Sequence, residues 1–247
     1  MRTTLVNMML SMEDKLISIK NSPNTKTFLS MHILKKVGAF SLIALFVYLS
    51  LLMLLITLQY IPLDLDAAFL ATKQHVIKYQ YYQIAFFAHV YSSIFILLLG
   101  SLQFIENIRN TYPLIHRSFG ITYVFGIICI SAPAGFVMGL HGNGGFIAQT
   151  SFCILSILWF YYTVRSFLAI KKGHITEHKN YMILSYALTL SALTLRLHKY
   201  ILAHTVEMHR LDIYRLVSWS GWVINLGIAY AIIYRKKISK LNEHFMI

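Results

Sequence analysis

The chemistry that this sequence can support depends on histidine and arginine side chains inside or beside long apolar segments. His116 and His178 each begin such a segment, and small or polar residues follow each of them at helical spacing. If both segments are helices that start from the same side, the two imidazoles face each other at equal depth. Two facing imidazole nitrogens are the axial ligands of a b-type haem, and Arg109 or Arg117 could pair with its propionates. Gly120, one turn after His116, would leave room for a porphyrin edge.

A second group of ionisable residues lies toward the opposite ends of these segments. His89 and Arg196 lie inside apolar sequence, about 12 and 9 Å from that end by helical rise. Ionisable side chains at such depth are costly and normally face an interior or a water-filled cavity. We predict that Arg196 points inward with His89 as its nearest partner, and that His141 and His198 complete an outer polar cluster. The alternative for both groups is structural, with hydrogen-bonded histidines and an arginine that reaches the lipid headgroups.

Six apolar segments position these residues. Only 13% of the residues are charged and 57% are hydrophobic, whereas a soluble domain carries roughly 25% charged residues. Each segment is long enough to cross the ~30 Å hydrocarbon core as a helix. The sequence therefore predicts an all-α integral membrane protein with six transmembrane helices, spans one to six: Val37–Tyr60, Tyr81–Phe104, Phe119–Leu140, Phe146–Ile170, Tyr181–Leu202 and Leu216–Tyr234.

Polar and small residues at helical spacing indicate which spans form the interior, because a face turned to lipid has no need of them. Spans two to five carry such stripes, so we predict a four-helix core of these spans with spans one and six outside it. Pro133 and Gly135 are predicted to kink span three. The predicted organisation is an amino-terminal segment (1–36), a six-helix membrane domain (37–234) and a basic tail (235–247).

The net charge of +13 follows the loops rather than one continuous face, which argues against a nucleic-acid partner. Lysine and arginine dominate the amino-terminal segment, the second and fourth loops and the tail. By the positive-inside rule we expect both termini in the cytoplasm and the protein in the cytoplasmic (inner) membrane.

Several short motifs resemble an uncharacterised family of bacterial multi-pass membrane proteins, domain of unknown function 2306. The likeness covers about residues 81–200 and implies a membrane fold without an established activity. The arrangement also resembles the six-helix b-type cytochromes, although span four has no histidine for a second haem. The matching positions include His89, Gln103, Arg109, His116, Arg117, His178 and Arg196, within motifs such as Gly100-Ser101-Leu102-Gln103-Phe104 and His116-Arg117-Ser118-Phe119-Gly120.

Three functions remain open from the sequence. One is haem-binding electron transfer, with iron held by His116 and His178 and a quinone or another membrane-complex subunit as partner. Another is a small-molecule carrier or channel that uses the outer cluster. The third is a non-catalytic accessory or assembly subunit. The sequence contains none of the soluble-enzyme motifs and no carboxylate inside a span, so whether the protein is an enzyme stays open.

Overall fold

The computed structural model describes residues 23–245, and within this range every regular element is helical. This confirms the predicted all-α membrane fold. The predicted amino-terminal segment and tail extend beyond the described residues, at 1–22 and 246–247. Five helices in the described range are long and apolar enough to cross a membrane: Ile33–Leu58, Gln80–Leu102, Pro113–Leu140, Phe146–Lys171 and Arg210–Ser239.

Short connections join the helices in chain order. The α-helices are Pro23–Leu58, Gln74–Ile77, Gln80–Leu102, Glu106–Thr111, Pro113–Phe125, Ala132–Leu140, Phe146–Lys171, Ile175–Thr189, Ser191–Thr205 and Arg210–Phe245, with a 3-10 helix at Ala68–Lys73 and a π-helical turn at Gly126–Ser131. We keep the span numbers for the six predicted crossings.

Span five consists of two helices of 15 residues each, the first half Ile175–Thr189 and the second half Ser191–Thr205. Leu190 between them keeps near-helical angles (φ −67°, ψ −14°), so the second half continues the first. Hydroxyl groups at the junction donate to the preceding turn, and the Ser191 Oγ lies 2.5 Å from the Leu188 carbonyl. Such bonds compete with the backbone ladder and bend helices. The single helix predicted for span five is thus two helices in series, and neither is among the five that are long and apolar enough to cross a membrane.

Span three is interrupted as its proline predicts. The π-helical turn Gly126–Ser131 ends two residues before Pro133. Proline has no N–H to donate and its ring crowds the preceding turn, so a wider turn accommodates it. The turn also shifts the register of the residues that follow.

The chain divides into two compact units at Leu51, and all sites described below lie in the second. There, span two packs against span three and the first half of span five, and span four packs against the same two spans. Spans three and five are therefore diagonal neighbours across the four-helix core. Tyr123, Ile127 and Leu188 are buried at its centre.

The core is larger than the predicted four-helix bundle, because span six belongs to it. Trp222, Leu226 and Ala229 are buried in the same apolar cluster as the core of spans three to five. Asn225 donates to the Ala187 carbonyl at 3.1 Å and so ties span six to span five. We predicted span six to lie outside the core because its stripe of polar residues is short. In the structure, that stripe is the face of span six that packs against the core.

Candidate functional site

A network of hydrogen-bonded hydroxyl groups is buried in the core, between the two ends of the helix bundle. The Tyr123 hydroxyl lies 3.0 Å from the Ser185 Oγ and 2.9 Å from the Thr189 Oγ1. Trp159 donates its indole N–H to the same Thr189 Oγ1 at 3.1 Å, and Thr163 joins through Ser185 at 2.8 Å. Every member is satisfied without a charged group, so this network fixes spans three, four and five in register.

His178 lies at one end of the core, which we call the His116 end, and span four fixes its orientation. Its Nδ1 lies 3.0 Å from the Ser166 carbonyl oxygen and 2.9 Å from the Ser166 Oγ. A carbonyl only accepts, so Nδ1 carries the proton and Nε2 keeps its lone pair. The Ser166 hydroxyl donates in turn to the His178 carbonyl at 3.2 Å. This arrangement leaves Nε2 of His178 available as a ligand.

His116 lies at the same end on span three, beside Gln103 of span two. With its nitrogen toward His116, the Gln103 amide donates to the His116 carbonyl at 3.1 Å and lies 3.2 Å from the His116 Nδ1, while its oxygen accepts from the Gly120 N–H at 3.2 Å. Gln103 is buried. The space that Gly120 was expected to leave for a porphyrin is therefore filled by this amide, and Nδ1 of His116 is an acceptor.

The His116 end brings together the two predicted histidines and one of the two predicted arginines. His116 and His178 are near enough for a charge on one to act on the other, and the charge of Arg109 also reaches His116. Arg109 pairs with Glu106 at 3.1 Å, within one short helix. Arg117 is exposed. In the part of the chain that the structure describes, no group of three or more His, Cys, Asp or Glu residues could hold a metal ion.

His89 lies inside the core toward the opposite end, which we call the Arg196 end. Its Nδ1 donates to the Ser131 carbonyl at 2.8 Å, at the close of the π-helical turn of span three. Gly135 makes room for the ring, since a Cβ there would lie 3.0 Å from His89 Nδ1 and Cε1. The imidazole packs edge-on to Trp159, with ring centroids 6.5 Å apart. Nε2 of His89 is not used by this bond.

Arg196 is half-buried on the second half of span five. Its charge reaches His89, Tyr60 and Tyr214. Its Nη1 donates to the Ala192 carbonyl at 2.8 Å, within its own helix. The Tyr60 hydroxyl accepts from the Phe69 N–H at 3.2 Å.

The loop after span one supplies a cation that the sequence prediction missed. Lys73 is 1% exposed, and its ammonium donates to the His141 carbonyl and to the Asn143 Oδ1, the latter at 2.5 Å. The His141 Nε2 lies 3.1 Å from the Tyr81 hydroxyl. Burial lowers the pKa of Lys73 to about 8. Burial also lowers the pKa of His141, and the Lys73 charge adds to that effect.

The predicted outer cluster is therefore divided. The charge of Arg196 reaches His89, whereas His141 is bonded to Lys73 through its carbonyl. His198 instead places Nδ1 3.1 Å from the Ser220 Oγ of span six. Nothing in the spacing of Lys73 signalled its position, because a 3-10 helix in a loop carries no apolar periodicity.

The buried Lys73 predicts a rise of stability with pH. The lysine of an unfolded chain keeps its proton up to a pKa of roughly 10.4, whereas folded Lys73 loses it near pH 8. Because the unfolded state binds more protons between these values, the free energy of unfolding in detergent should increase from about pH 8 to pH 10. Lys73→Met should remove this increase, measured by chemical unfolding. The exposed neighbour Lys78 offers the control, and an equal effect of Lys78→Met would contradict the assignment.

Comparison with known protein families shows which family the chain belongs to. The family described as "Predicted membrane protein (DUF2306)" matches residues 86–233, which is more than half of the chain. The chain belongs to the DUF2306 family. The match confirms the resemblance seen in the sequence and extends it from residue 200 through most of span six. A DUF2306 protein is by that description a membrane protein, and no activity comes with the name. No curated protein and no solved structure matches the chain.

Proposed function

We propose that this protein binds one b-type haem at the His116 end and serves membrane electron transfer. The observation that carries the proposal is the placement of His116 and His178 at one end of the core, on diagonally opposed spans. Spans three and five meet further into the core through the Tyr123 hydroxyl, and at the His116 end a plane between them could take one ligand from each. A haem iron at this position would supply one-electron chemistry.

His178 has the geometry expected of an iron ligand. Histidines that bind metals almost always donate their second ring N–H to a carbonyl or carboxylate, which fixes the ring and its tautomer. The Nδ1 of His178 makes this bond to the Ser166 carbonyl at 3.0 Å. The support is structural rather than accidental, because Ser166 is fully buried and its hydroxyl returns a bond to His178.

His116 requires one local rearrangement. Its Nδ1 accepts from Gln103, so its Nε2 carries the proton and cannot bind iron. If the Gln103 amide turns over, its oxygen accepts from Nδ1–H and Nε2 becomes a ligand. This rotation exchanges the amide oxygen and nitrogen in place, so a porphyrin edge beside Gly120 also requires the Gln103 side chain to move away. Arg109 and the exposed Arg117 are the cations available to the propionates.

An absorption spectrum tests the proposal. The protein is purified in detergent from haem-replete cells, and spectra are recorded after air oxidation and after dithionite reduction. We expect a Soret band that shifts on reduction and the sharp α band of a low-spin haem. A colourless protein that is negative for pyridine haemochrome would contradict the proposal, and would leave the carrier and accessory-subunit hypotheses.

Gln103→Glu is predicted to strengthen haem binding. A carboxylate has no proton to donate, so it holds His116 in the Nδ1–H tautomer and frees Nε2. A carboxylate partner also raises the basicity of a liganding imidazole, which favours ferric haem. We expect a higher haem content and a lower midpoint potential than in the wild type, measured by haemochrome assay and redox titration. Gln83→Glu at the other end of span two is the control. A fall in haem content specific to Gln103→Glu would contradict the tautomer argument.

We also propose that the His116 end faces the cytoplasm of a cell whose inner membrane holds the protein. The support is the excess of lysine and arginine in the loops and tail at that end. Cysteines introduced at Lys172 and at Lys236 should resist membrane-impermeant maleimide in intact cells, whereas a cysteine at Glu207 should react. Labelling at Lys172 and Lys236 but not at Glu207 would invert the orientation. A cysteine-free background avoids the natural thiols Cys129 and Cys153.

A further inference from the structure

Arg165 lies on an exposed face of span four, within the length that crosses the membrane. Its side chain is exposed, and so are Tyr161 and Leu168, one turn before and after it on the same face. The helix Phe146–Lys171 has 26 residues and is about 39 Å long, against ~30 Å of hydrocarbon. Arg165 lies about 9 Å before the end of this helix. In a span centred on the bilayer, its backbone is therefore inside the hydrocarbon edge.

Two tyrosines hold the guanidinium of Arg165. Its Nη1 donates to the Tyr161 hydroxyl at 3.1 Å. Its Cζ lies 5.8 Å from the centroid of the Tyr161 ring and 5.0 Å from that of Tyr181, which belongs to span five. A long cationic side chain near a helix end is otherwise free to extend to the headgroups. These contacts instead fix the charge at the seam between spans four and five.

Arg165 has no acidic partner among residues 23–245. The acidic residue at the start of span five, Glu177, contacts His174 at 3.7 Å, and the other ion pairs of the described residues do not include Arg165. Four of its five N–H donors are left without a protein acceptor in that range. The Tyr161 hydroxyl accepts from Arg165 and keeps its own proton to donate. Because an unpaired cation at apolar depth is costly, this pair of residues calls for an anion with oxygen acceptors.

A second cation and further tyrosines extend the seam. Lys172 follows Arg165 by seven residues, so it lies on the same face of span four, two turns nearer the membrane surface. Tyr162 stacks on Tyr181 with ring centroids 6.3 Å apart, and its hydroxyl lies 2.8 Å from that of Tyr230 on span six. Tyrosine rings at this level are typical of the bilayer interface. The seam thus combines two cations with a group of aromatic rings.

We propose that the seam between spans four and five at the His116 end binds the headgroup of an anionic phospholipid. The lipid phosphate accepts from the Arg165 guanidinium and from the Tyr161 hydroxyl, and Lys172 adds a second positive charge. Phosphate oxygens match the planar fork of an arginine, and basic sites between transmembrane helices bind anionic headgroups. A lipid is the source of the phosphate because this face of span four meets the bilayer rather than water.

Native mass spectrometry of the delipidated protein in detergent tests the site. Phosphatidylglycerol is compared with phosphatidylcholine of the same acyl chains, and we expect it to bind roughly tenfold more tightly. Arg165→Gln should remove most of this preference, and Arg165→Lys, which keeps the charge without the fork, should retain part of it. Arg235→Gln, an exposed arginine of span six at the same end, is the control and should bind like the wild type. Equal binding of both lipids by the wild type would overturn the proposal. Equal losses in Arg165→Gln and Arg235→Gln would also overturn it, because they indicate diffuse attraction.

Tyr161→Phe keeps the test decisive if Arg165→Gln does not fold. It retains the ring and removes only the hydroxyl, so the affinity for phosphatidylglycerol should fall several-fold. The exposed Tyr234 provides the matched control Tyr234→Phe, which should bind like the wild type. Unchanged affinity in Tyr161→Phe would overturn the assigned site. Inorganic phosphate at millimolar concentration should not displace the lipid, and displacement would overturn the lipid as its ligand. These measurements need no haem, so their outcome is independent of the proposed function.

Discussion

Replacement of His178 by alanine is expected to abolish the haem absorbance of the purified protein. His178 is the one histidine in the first half of span five, and its ring is held by the buried Ser166. His116→Ala should have the same effect, because it removes the ligand proposed for the other face of the haem. The measurement is the reduced-minus-oxidised spectrum together with the haem content per polypeptide.

His174→Ala is the matched control for this loss. His174 lies one turn earlier, is exposed and contacts Glu177 at 3.7 Å, so its removal should leave the spectrum unchanged. Ser166→Ala removes the hydroxyl but keeps the carbonyl that accepts from the His178 Nδ1–H, so it should lower haem affinity much less than His178→Ala does. Full haem content in His178→Ala would refute the assignment of the ligand. Loss of haem in His89→Ala alone would move the haem to the Arg196 end.

Gly100→Ala is expected to destabilise the protein by about 1–3 kcal/mol, the usual cost of overpacking a core. A Cβ at this position of span two would lie 2.6 Å from ring carbons of both Tyr123 and Tyr186. Neither ring can move freely, because the Tyr123 hydroxyl is bonded to Ser185 at 3.0 Å and Tyr186 donates to the Leu97 carbonyl at 3.2 Å. Chemical unfolding in detergent measures the change.

Gly227→Ala serves as the control for Gly100→Ala. Gly227 is also helical, but it is exposed and a Cβ there meets nothing within 4 Å. The added methyl should be neutral or stabilise the helix by up to ~1 kcal/mol, because alanine has the higher helix propensity. Equal losses of stability in Gly100→Ala and Gly227→Ala would show that the close approach of spans two, three and five does not explain the effect of substitution at Gly100.

The stripes of small and polar residues were sufficient to predict which helix faces turn inward. Ser185 and Thr189 lie at helical spacing on span five, and both are buried in the core. The same argument applied to Arg196 and His89, because an ionisable side chain in an apolar segment is costly when it faces lipid and is therefore expected to face the interior. For Ser185 and Thr189, the inward direction was therefore predictable from spacing alone.

Contacts between distant segments were not predictable in this way. Lys73 and Asn143 come together only when the loop after span one meets the loop after span three, and no periodicity connects loops. The same holds for Ser166 and His178, whose pairing depends on the turn between spans four and five. Helical spacing predicts the direction in which each side chain points. Which side chain it contacts on a neighbouring helix depends on the register between the two helices.

The break at Leu190 has a consequence for biosynthesis. Each half of span five has 15 residues, or about 22 Å of helix, which is shorter than the ~30 Å of apolar thickness. The second half also carries Arg196, His198 and Lys199, so the translocon has little reason to release this segment into lipid by itself. Its apolar face is completed by span four on one side and by span six on the other. We therefore expect span five to enter the bilayer as part of a hairpin with a neighbour, and a ribosome that stalls before span six to leave it poorly inserted.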